Sequence, residues 1–293
     1  MKILITGSNG LLGQKIVKQL LKSNCSFLAT SKGENRNPDC PEMNYASLDI
    51  CDEHEIEALF QTFQPTHIIH TAAITNVDYC ELNPEECNEV NYLASMKLFK
   101  AAQKINAHFQ LLSTDFVFDG QKGNYSEEDK VGPLSVYAES KVNSEYGLIR
   151  DDYSNWSIVR TIIVYGTGNN LSRSNIICWA KEALSKGQEM NIVDDQFRAP
   201  TWADDLAWAC IQICKLNKTG KFNISGPETL SIYSIVERVA KYFNFSTDKL
   251  KKSSSKTLNQ PAKRPPHTGF DLTKGRKELG YNPKTIEETL DLI

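Results

Sequence analysis

The chain begins Met1-Lys2-Ile3-Leu4-Ile5-Thr6-Gly7-Ser8-Asn9-Gly10-Leu11-Leu12-Gly13, and this stretch decides the fold. A short apolar run predicts a buried strand over 2–5, and apolar residues at helical spacing predict a helix over 11–22. Between them, Gly7 allows a tight turn, Gly10 a close approach of the backbone to a ligand, and Gly13 close packing of the helix on the strand. The free N–H groups and the positive dipole end of that helix attract an anion. The stretch therefore predicts a site for the phosphates of a dinucleotide.

Strand and helix patterns alternate along the first 165 residues, which predicts a parallel sheet covered by helices on both faces. The fold class is therefore α/β, a doubly wound parallel sheet of the Rossmann type. The strands are expected at 2–5, 26–30, 45–50, 66–71, 109–113 and 157–164, and the helices at 11–22, 53–63, 84–105 and 136–149.

Beyond Gly166 the pattern loosens into shorter elements. Helices are expected at 176–186, 203–216, 230–243, 271–279 and 285–290, a strand at 221–225, and a loop with little structure at 249–266. We expect an NAD(P)-binding domain over 1–165 and a smaller α+β substrate lobe over 166–293, with chain segments free to interleave. The lobe would lie across the carboxyl edge of the sheet, where ligands bind in such folds.

The composition is that of an ordinary globular protein, with 40% apolar and 24% charged residues. The net charge of -3 gives no reason to expect a nucleic-acid or membrane partner. We expect no signal peptide and no transmembrane segment, and hence a cytoplasmic location. The eight cysteines form no C-x-x-C pair and the five histidines lack metal-ligand spacing, so we expect no metal site.

The end of the second strand bears on the choice of cofactor. An acidic residue there would bind the adenosine ribose hydroxyls and favour NAD, but the strand ends Thr30-Ser31-Lys32. These residues could instead receive a 2'-phosphate, helped by Asn35 and Arg36, or they could be ordinary polar loop residues. We therefore expect NADP(H), with NAD(H) as the alternative. Asp49 and Ile50 follow the third strand, where a side chain could contact the adenine amino group.

A tyrosine and a lysine lie one helical turn apart in Tyr137-Ala138-Glu139-Ser140-Lys141. Reduction of a carbonyl group needs a proton donor at the oxygen as hydride reaches the carbon. We expect the Lys141 ammonium to lower the pKa of Tyr137 and to hold a nicotinamide ribose. Ser113 and Thr114 end the fifth strand, where a hydroxyl could bind the carbonyl oxygen beside Tyr137. With the glycine loop, these residues predict an enzyme that reduces a carbonyl group.

The spacing G-x-x-G-x-x-G resembles that of the extended branch of the short-chain dehydrogenase/reductase superfamily. Further segments resemble dTDP-4-dehydrorhamnose reductases, most strongly over the first 210 residues. They are Ser113-Thr114-Asp115-Phe116-Val117-Phe118-Asp119-Gly120, similar to S-T-D-Y-V-F-x-G; Ala72-Ala73 with Asn76-Val77-Asp78, Glu81 and Asn91; Asp195-Gln196-Phe197-Arg198-Ala199-Pro200-Thr201, similar to D-Q-x-G-x-P-T, with Asp205-Leu206-Ala207; Arg160, Val164-Tyr165 and Gly168-Asn169-Asn170; and Arg264-Pro265.

This resemblance implies that Thr114, Tyr137 and Lys141 are catalytic and that Ala72 and Ala73 contact the cofactor. The reaction would be NAD(P)H reduction of the C4 ketone of a dTDP-bound 6-deoxy-4-ketohexose, giving dTDP-L-rhamnose. Extended members are often dimers, so a homodimer is the default expectation. Contacts to the nucleotide-sugar substrate are expected from Thr75, Val77, Asp115, Ile163, Asn170, Gln196, Arg198 and Arg264.

Four residues depart from those usual in the family, where tyrosine, glycine, tryptophan and glycine stand at the positions of Phe116, Ala138, Ile163 and Arg198. The changes at Ile163 and Arg198 bear on the identity of the sugar more than on the chemistry. Arg198 could meet a phosphate or a carboxylate, or it could be a surface arginine.

Three other functions are compatible with parts of the pattern. A sugar-nucleotide 4,6-dehydratase shares the tyrosine and the lysine, but it needs an acid/base pair after the threonine, and Phe116 cannot transfer a proton. A 4-epimerase stays open, because it needs only the three catalytic residues and room for the sugar to turn over. A non-catalytic NADP-binding protein, like the regulatory subunit of methionine adenosyltransferase, stays open as well. Retention of Thr114, Tyr137 and Lys141 together favours an enzyme.

Overall fold

The computed structural model describes residues 1–293 and shows a seven-stranded parallel sheet. The strands are β1 (Lys2–Thr6), β2 (Ser26–Ser31), β3 (Tyr45–Ser47), β4 (His67–His70), β5 (His108–Thr114), β6 (Trp156–Thr161), β7 (Val164–Tyr165), β8 (Met190–Val193), β9 (Phe197–Arg198), β10 (Thr201–Trp202), β11 (Gly220–Ile224), β12 (Leu230–Ser231) and β13 (Leu250–Ser253). The helices are α1 (Leu11–Leu20), α2 (Glu53–Phe63), α3 (Val77–Leu82), α4 (Pro84–Asn88), α5 (Ala94–Lys104), α6 (Val136–Ile149), α7 (Ile176–Ser185), α8 (Ala203–Lys215), α9 (Ile232–Tyr242), α10 (Thr273–Leu279) and α11 (Glu287–Leu290). The order across the large sheet is β11-β6-β5-β4-β1-β2-β3, and the predicted α/β fold class is confirmed.

Both faces of the sheet are buried, which explains why β1 has an unbroken apolar sequence. Successive strand residues point to opposite faces. Ile3 and Ile5 therefore pack into an apolar cluster with α1 and α8, whereas Leu4 packs into a second cluster with α2 and α5. The carboxyl ends of the strands, and the loops that follow them, are left free to form a site.

The helix expected over 84–105 is interrupted in the structure. Asn83 has φ -133° and ψ 64°, because a proline at the next position disfavours the helical conformation. A π-helical turn at Glu89–Leu93 then separates α4 from α5. This turn carries the buried Asn91, whose side chain hydrogen-bonds both the backbone N–H and the C=O of Ile74 at 2.8 and 3.0 Å. The interrupted part of the helix thus carries the residue that holds the loop after β4 in place.

Some elements of the substrate lobe expected over 166–293 pack on the large sheet instead. This agrees with the expectation that segments of the two domains interleave. Strand β11 pairs in parallel with β6, while α8 packs on α1 and α10 packs on β11. The other elements of the lobe bury a separate apolar cluster, in which α7, α9 and α11 contribute Ile177, Ile235 and Leu290. The division at residue 165 stays a prediction for these latter elements.

Several expected bounds are corrected by the structure. The loop expected over 249–266 contains β13, which pairs in parallel with β8 from Leu250 and Met190 to Ser253 and Val193. Only Leu250 of that strand is buried, so the sequence shows no alternating pattern there. The strand expected over 157–164 ends at Thr161, and the one expected over 45–50 ends at Ser47. None of the helices combines the length and the apolar character needed to cross a bilayer.

Two glycine substitutions should separate packing from ligand binding in the first turn. A Cβ at Gly13 would lie 2.4 Å from the Gly7 carbonyl oxygen and 2.5 Å from the Ser8 Cα, whereas at Gly10 the nearest atom would be 3.2 Å away. We expect Gly13→Ala to destabilise the fold by about 1–3 kcal/mol through overpacking.

The matched variant Gly10→Ala should keep the melting temperature close to that of the wild type. It should weaken NADPH binding about tenfold or more, by blocking approach of the phosphates. Thermal denaturation and fluorescence titration with NADPH measure the two effects. Equal losses of stability in both variants would contradict the assignment of separate roles.

Candidate active site

A cavity of about 650 Å³ runs along the carboxyl ends of β2, β1, β4, β5 and β6. It is lined by 29 residues, among them most of the expected cofactor and catalytic positions. The expected site residues that line it are Gly7, Asn9, Gly10, Leu11, Leu12, Gly13, Ser31, Ala72, Ala73, Thr75, Val77, Thr114, Asp115, Tyr137, Lys141 and Ile163. The sheet topology therefore brings together residues that lie far apart in the sequence.

The glycine loop has the geometry required for a dinucleotide. Gly7 has φ 71°, and a Cβ there would lie 2.7 Å from the backbone nitrogen of Ala72. The Gly10 nitrogen donates to the Gly7 carbonyl at 3.0 Å, which closes the turn before α1. Since the α1 amino terminus has no side-chain cap, its N–H groups remain available to phosphate oxygens. The residues present thus fit an NAD(P) pyrophosphate at this loop.

The adenosine end of the cavity differs in part from expectation. Thr30 is buried and donates to the Ile5 carbonyl at 3.0 Å, so its hydroxyl faces the interior of the sheet. Lys32 is 80% exposed and pairs with Asp49 at 2.6 Å. Hydrogen bonding with Lys32 accordingly lowers the pKa of Asp49. Thr30, Lys32, Asp49 and the buried Ile50 all lie outside the cavity wall, and their expected contacts with the cofactor stay predictions.

Ser31 and Arg36 line the cavity at this end, together with Asn9. The Ser31 hydroxyl accepts a hydrogen bond from the Asn9 backbone at 3.0 Å, and the Arg36 backbone donates to the Asn9 side chain at 2.8 Å. Asn170 donates to the Arg36 carbonyl at 3.1 Å, from the loop between β7 and α7. Asn170, expected at the substrate, therefore lies outside the cavity wall and ties that loop to Arg36.

Helix α6 presents the tyrosine and the lysine to the cavity. Ser135 caps the helix by accepting a hydrogen bond from the Ala138 N–H at 3.4 Å, and Glu81 accepts one from the Val136 N–H at 3.0 Å. Tyr137 and Lys141 then follow one turn apart, 8% and 3% exposed. The Lys141 ammonium forms no ion pair or hydrogen bond within the chain. A buried cation without a partner, in the wall of a cavity, is available to ribose hydroxyls.

Burial dominates the ionisation of both side chains. It raises the pKa of Tyr137 above its ordinary value, while the charge of Arg173 acts in the opposite direction. Burial lowers the pKa of Lys141 to about 8, against the effect of the Glu145 carboxylate. Tyr137 and Lys141 both line the cavity, and the expectation that Lys141 favours the phenolate of Tyr137 stays a prediction.

A buried ion pair fixes α6 to the sheet directly behind these residues. Arg160 on β6 donates to both Glu145 oxygens, from Nε at 3.0 Å and from Nη2 at 2.6 Å. The Ser113 hydroxyl on β5 donates to the same carboxylate at 2.6 Å. Ser113 and Thr114 both line the cavity, but the hydroxyl of Ser113 is taken up by the support of α6.

Thr114 is held by its own side-chain hydrogen bonds. Its hydroxyl accepts from the Phe116 N–H at 3.2 Å and donates to Asp115 Oδ1 at 3.1 Å. The other oxygen of Asp115 accepts from the Thr268 hydroxyl and lies 3.6 Å from Nε of Arg198. Burial raises the pKa of Asp115, and Arg198 opposes that rise. Both Asp115 oxygens are therefore engaged within the chain.

Apolar side chains form part of the cavity wall. Val77, Phe116, Ile163 and Leu171 are among them, and the rings of Phe116 and Tyr137 meet edge to face at 6.1 Å between centroids. Ile163 has φ 31°, in the left-handed region that β-branched residues rarely adopt. Its strained backbone holds a side chain that faces the cavity.

Arg173 is a cavity residue that the sequence reasoning missed. It lies in the loop between β7 and α7 and donates to the Thr75 hydroxyl. It follows the matched Gly168-Asn169-Asn170 and stands two residues before Asn175, whose side chain caps α7 by accepting from the Cys178 N–H at 3.1 Å. A cation next to a helix cap was the available signal.

Besides Asn170, three of the expected substrate contacts lie outside the cavity wall. Arg198 is 2% exposed, and its guanidinium donates to the carbonyls of Phe197, Pro265 and Pro266 and pairs with Asp115. It does meet a carboxylate, but one from its own chain. Arg264 forms a two-pronged pair with Asp78 at 3.1 and 2.7 Å. Gln196 is buried, and its backbone carbonyl accepts a hydrogen bond from the Ile232 N–H at 3.0 Å.

A parallel sheet whose first strand enters a glycine loop, with Thr114, Tyr137 and Lys141 at its carboxyl edge, defines an NAD(P)-dependent oxidoreductase of the extended short-chain dehydrogenase/reductase class. The sequence places the chain more narrowly. It belongs to the RmlD substrate binding domain family, which matches residues 1–293.

Named relatives span nearly the whole chain. The probable low-salt glycan biosynthesis reductase Agl14 of Haloferax volcanii is 28% identical over 288 residues, covering 98% of this chain and 95% of its own. Methionine adenosyltransferase 2 subunit beta of Rattus norvegicus is 28% identical over 289 residues, covering 97% and 84%. A crystal structure of a dTDP-4-dehydrorhamnose reductase from Clostridium acetobutylicum superposes with a TM-score of 0.87 at 28% identity, covering 99% of this chain and 97% of that one.

The pKa of Lys141 predicts how cofactor binding depends on pH. Because burial lowers this pKa to about 8 in the free protein, the ammonium loses its charge as the pH rises through that value. A ligand that binds the charged form should hold constant affinity below this pH and bind more weakly above it, with Kd rising by up to about tenfold per unit. NADPH titrations across this range measure the effect. Lys141→Met should bind more weakly and lose the pH dependence; a dependence that persists in this variant would contradict the assignment.

Proposed function

We propose that this protein reduces the 4-keto group of a nucleotide-linked 4-keto-6-deoxysugar with NADPH, and that its substrate is dTDP-4-dehydrorhamnose. The observation that carries the proposal is the meeting of Thr114, Tyr137 and Lys141 in the cavity that also contains the glycine loop. The likeness to Agl14 and to the Clostridium reductase supports reduction of a nucleotide sugar. The apolar wall at Val77, Phe116 and Ile163 supports a substrate with a methyl group at C6.

The side chains divide the work of the reduction. Bound reduced nicotinamide supplies the hydride. Tyr137 donates its phenolic proton to the sugar oxygen on which negative charge develops. Lys141, which has no partner in the chain, holds ribose hydroxyls and favours the phenolate that is left behind. Burial keeps Tyr137 protonated until the charge on the substrate oxygen forms. Arg173 lowers the cost of the phenolate across the cavity.

The geometry argues against dehydration of a sugar. A dehydratase needs a carboxyl pair that transfers protons beside the threonine. Here Asp115 has both oxygens engaged by Thr114, Thr268 and Arg198. The next side chain, Phe116, packs edge to face on Tyr137. A reductase needs only one proton donor at this place, which Tyr137 can supply. Reduction therefore fits these side chains better than dehydration does.

A non-catalytic cofactor-binding role is the second candidate, because the methionine adenosyltransferase subunit is equally similar in sequence. The two roles differ in one measurement, NADPH oxidation with a panel of nucleotide-linked 4-ketosugars that varies both the sugar and the base. Turnover with a dTDP-linked 4-keto-6-deoxysugar supports the proposal. Tight NADPH binding without turnover of any member would contradict it and favour the binding role, and C4 inversion without net oxidation of NADPH would indicate an epimerase.

The phenolic proton of Tyr137 gives the sharpest test of the chemistry. Tyr137→Phe should lower kcat about 100- to 10,000-fold, the usual contribution of a positioned acid. The affinity for NADPH should stay close to that of the wild type, because the phenylalanine ring occupies the same space in the cavity wall as the tyrosine ring. Steady-state kinetics and NADPH titration check the two statements. Wild-type turnover in this variant would exclude Tyr137 as the proton donor.

The position of Arg36 predicts that the protein prefers NADPH to NADH. It lines the adenosine end of the cavity beside Ser31 and has no ion-pair partner, so it is available to a 2'-phosphate. Arg36→Leu should weaken NADPH binding about 10- to 100-fold, as expected for a lost charged hydrogen bond. The affinity for NADH should hardly change.

The control is Lys32→Leu, which removes a nearby cation that Asp49 already pairs. It should alter the NADPH affinity much less. A larger loss in Lys32→Leu than in Arg36→Leu would restore the expectation from the sequence that Lys32 binds the phosphate.

A further inference from the structure

The catalytic threonine is in contact with a second buried ion pair, which the chemistry above does not use. Asp115 accepts the Thr114 hydroxyl proton at 3.1 Å on one oxygen. On the other oxygen it meets the Thr268 hydroxyl and, at 3.6 Å, the Arg198 guanidinium. The side chains of Asp115 and Arg198 are only 3% and 2% exposed, so neither charge is screened by water.

Arg198 connects this carboxylate to the carboxyl-terminal segment 265–268. Its Nη2 donates to the Pro265 carbonyl at 2.7 Å, and its Nη1 donates to the carbonyls of Pro266 at 3.4 Å and Phe197 at 2.7 Å. Backbone hydrogen bonds join the same segment to β9 from Phe197 N to Pro266 O at 2.8 Å and from Thr268 N to Phe197 O at 3.1 Å. The segment is thereby seated against Asp115 in a single position.

The number of hydrogen bonds that the Thr114 hydroxyl can form shows how Asp115 and Arg198 control its orientation. A threonine hydroxyl has one proton and two lone pairs. The proton goes to Asp115, and the Phe116 N–H occupies one lone pair at 3.2 Å. One lone pair is left for the cavity, so Thr114 presents an acceptor there as long as the carboxylate holds its place. Arg198 also lies 5.4 Å from the Phe116 ring centroid, and that ring packs on Tyr137.

We propose that Asp115 and Arg198 are positioning residues, which orient the Thr114 hydroxyl and link that orientation to the seating of segment 265–268. The pair acts through Thr114, because Arg198 lies outside the cavity wall and Asp115, which lines the cavity, has both oxygens engaged within the chain. Thr114 then accepts a hydrogen bond in the cavity, and Tyr137 is the side chain that donates to the ketone oxygen. The kinetic part of this inference rests on the proposed reductase activity, whereas the part about the hydroxyl does not.

The test uses the full-length protein and three variants of nearly unchanged shape. Asp115→Asn removes the carboxylate, and Thr268→Val removes its hydroxyl donor while leaving Arg198 in place. The control is Asp195→Asn, because Asp195 also ties the lobe together, accepting from the Ser254 hydroxyl at 2.7 Å and the Ser255 N–H at 2.9 Å, without contact to Thr114. Melting temperatures confirm that each variant is folded.

The first measurement is the NMR signal of the Thr114 methyl group in threonine-labelled protein, identified by its loss in Thr114→Val. This signal should shift in Asp115→Asn and Thr268→Val and stay in place in Asp195→Asn. It requires no turnover, so it tests the inference even if the proposed function fails. An unchanged signal in both Asp115→Asn and Thr268→Val would overturn the inference.

The second measurement separates kcat from KM with the ketosugar that the wild type turns over. Asp115→Asn should lower kcat about 10- to 100-fold, the cost of a slightly misplaced group. KM and NADPH affinity should change by less than about twofold, because both oxygens of Asp115 are engaged within the chain and Arg198 lies outside the cavity wall. The double variant Thr114→Val/Asp115→Asn should be no slower than Thr114→Val alone. Additive losses in the double variant would show that the pair acts independently of Thr114 and would overturn the positioning role.

Discussion

The ion pair between Arg160 and Glu145 is the interaction on which the site depends. Glu145 accepts two donors from Arg160 and a third from Ser113, all at 2.6–3.0 Å and all buried. Loss of either charge would leave the other unpaired in the interior, at a cost of about 3–5 kcal/mol. Glu145 lies one turn beyond Lys141, and Ser113 directly precedes Thr114. The pair therefore sets the distance between α6 and β5, and with it the geometry of the three catalytic residues, before a ligand binds.

A second constraint is the uneven distribution of charge around the cavity. Lys141, Arg36 and Arg173 line it without ion-pair partners, whereas its single lining carboxylate, Asp115, faces Arg198. The chain as a whole carries a net charge of -3. A cavity that is positive inside a slightly negative protein concentrates anionic ligands at the site. The phosphates of a dinucleotide and of a nucleotide sugar are ligands of this kind.

The sequence predicted those features that depend on neighbouring residues. The glycine loop and the bounds of α2 and α6 follow from local spacing and capping, since Asp52 and Ser135 accept the first N–H groups of their helices. Contacts between distant segments could not be read in this way. Lys32 resembles a phosphate ligand until the sheet places Asp49 beside it, and Arg198 resembles a ligand contact until Asp115 and segment 265–268 enclose it. Arg173 enters the cavity wall through the loop beyond β7, and its position near the Asn175 cap of α7 was the only local signal in the sequence.

The side chain of Ile163 bears on both the cavity and the packing of the sheet. A non-glycine residue in the left-handed region costs about 1–2 kcal/mol, and at φ 31° Ile163 incurs such a cost in order to face the cavity. Glycine at this position would relieve the backbone and remove the side chain from the wall. The same change would also remove the packing of Ile163 against the apolar cluster that contains Ile3 and Ile5. Relief of the backbone strain would offset part of that loss, so the present side chain links the shape of the cavity to the packing of the sheet.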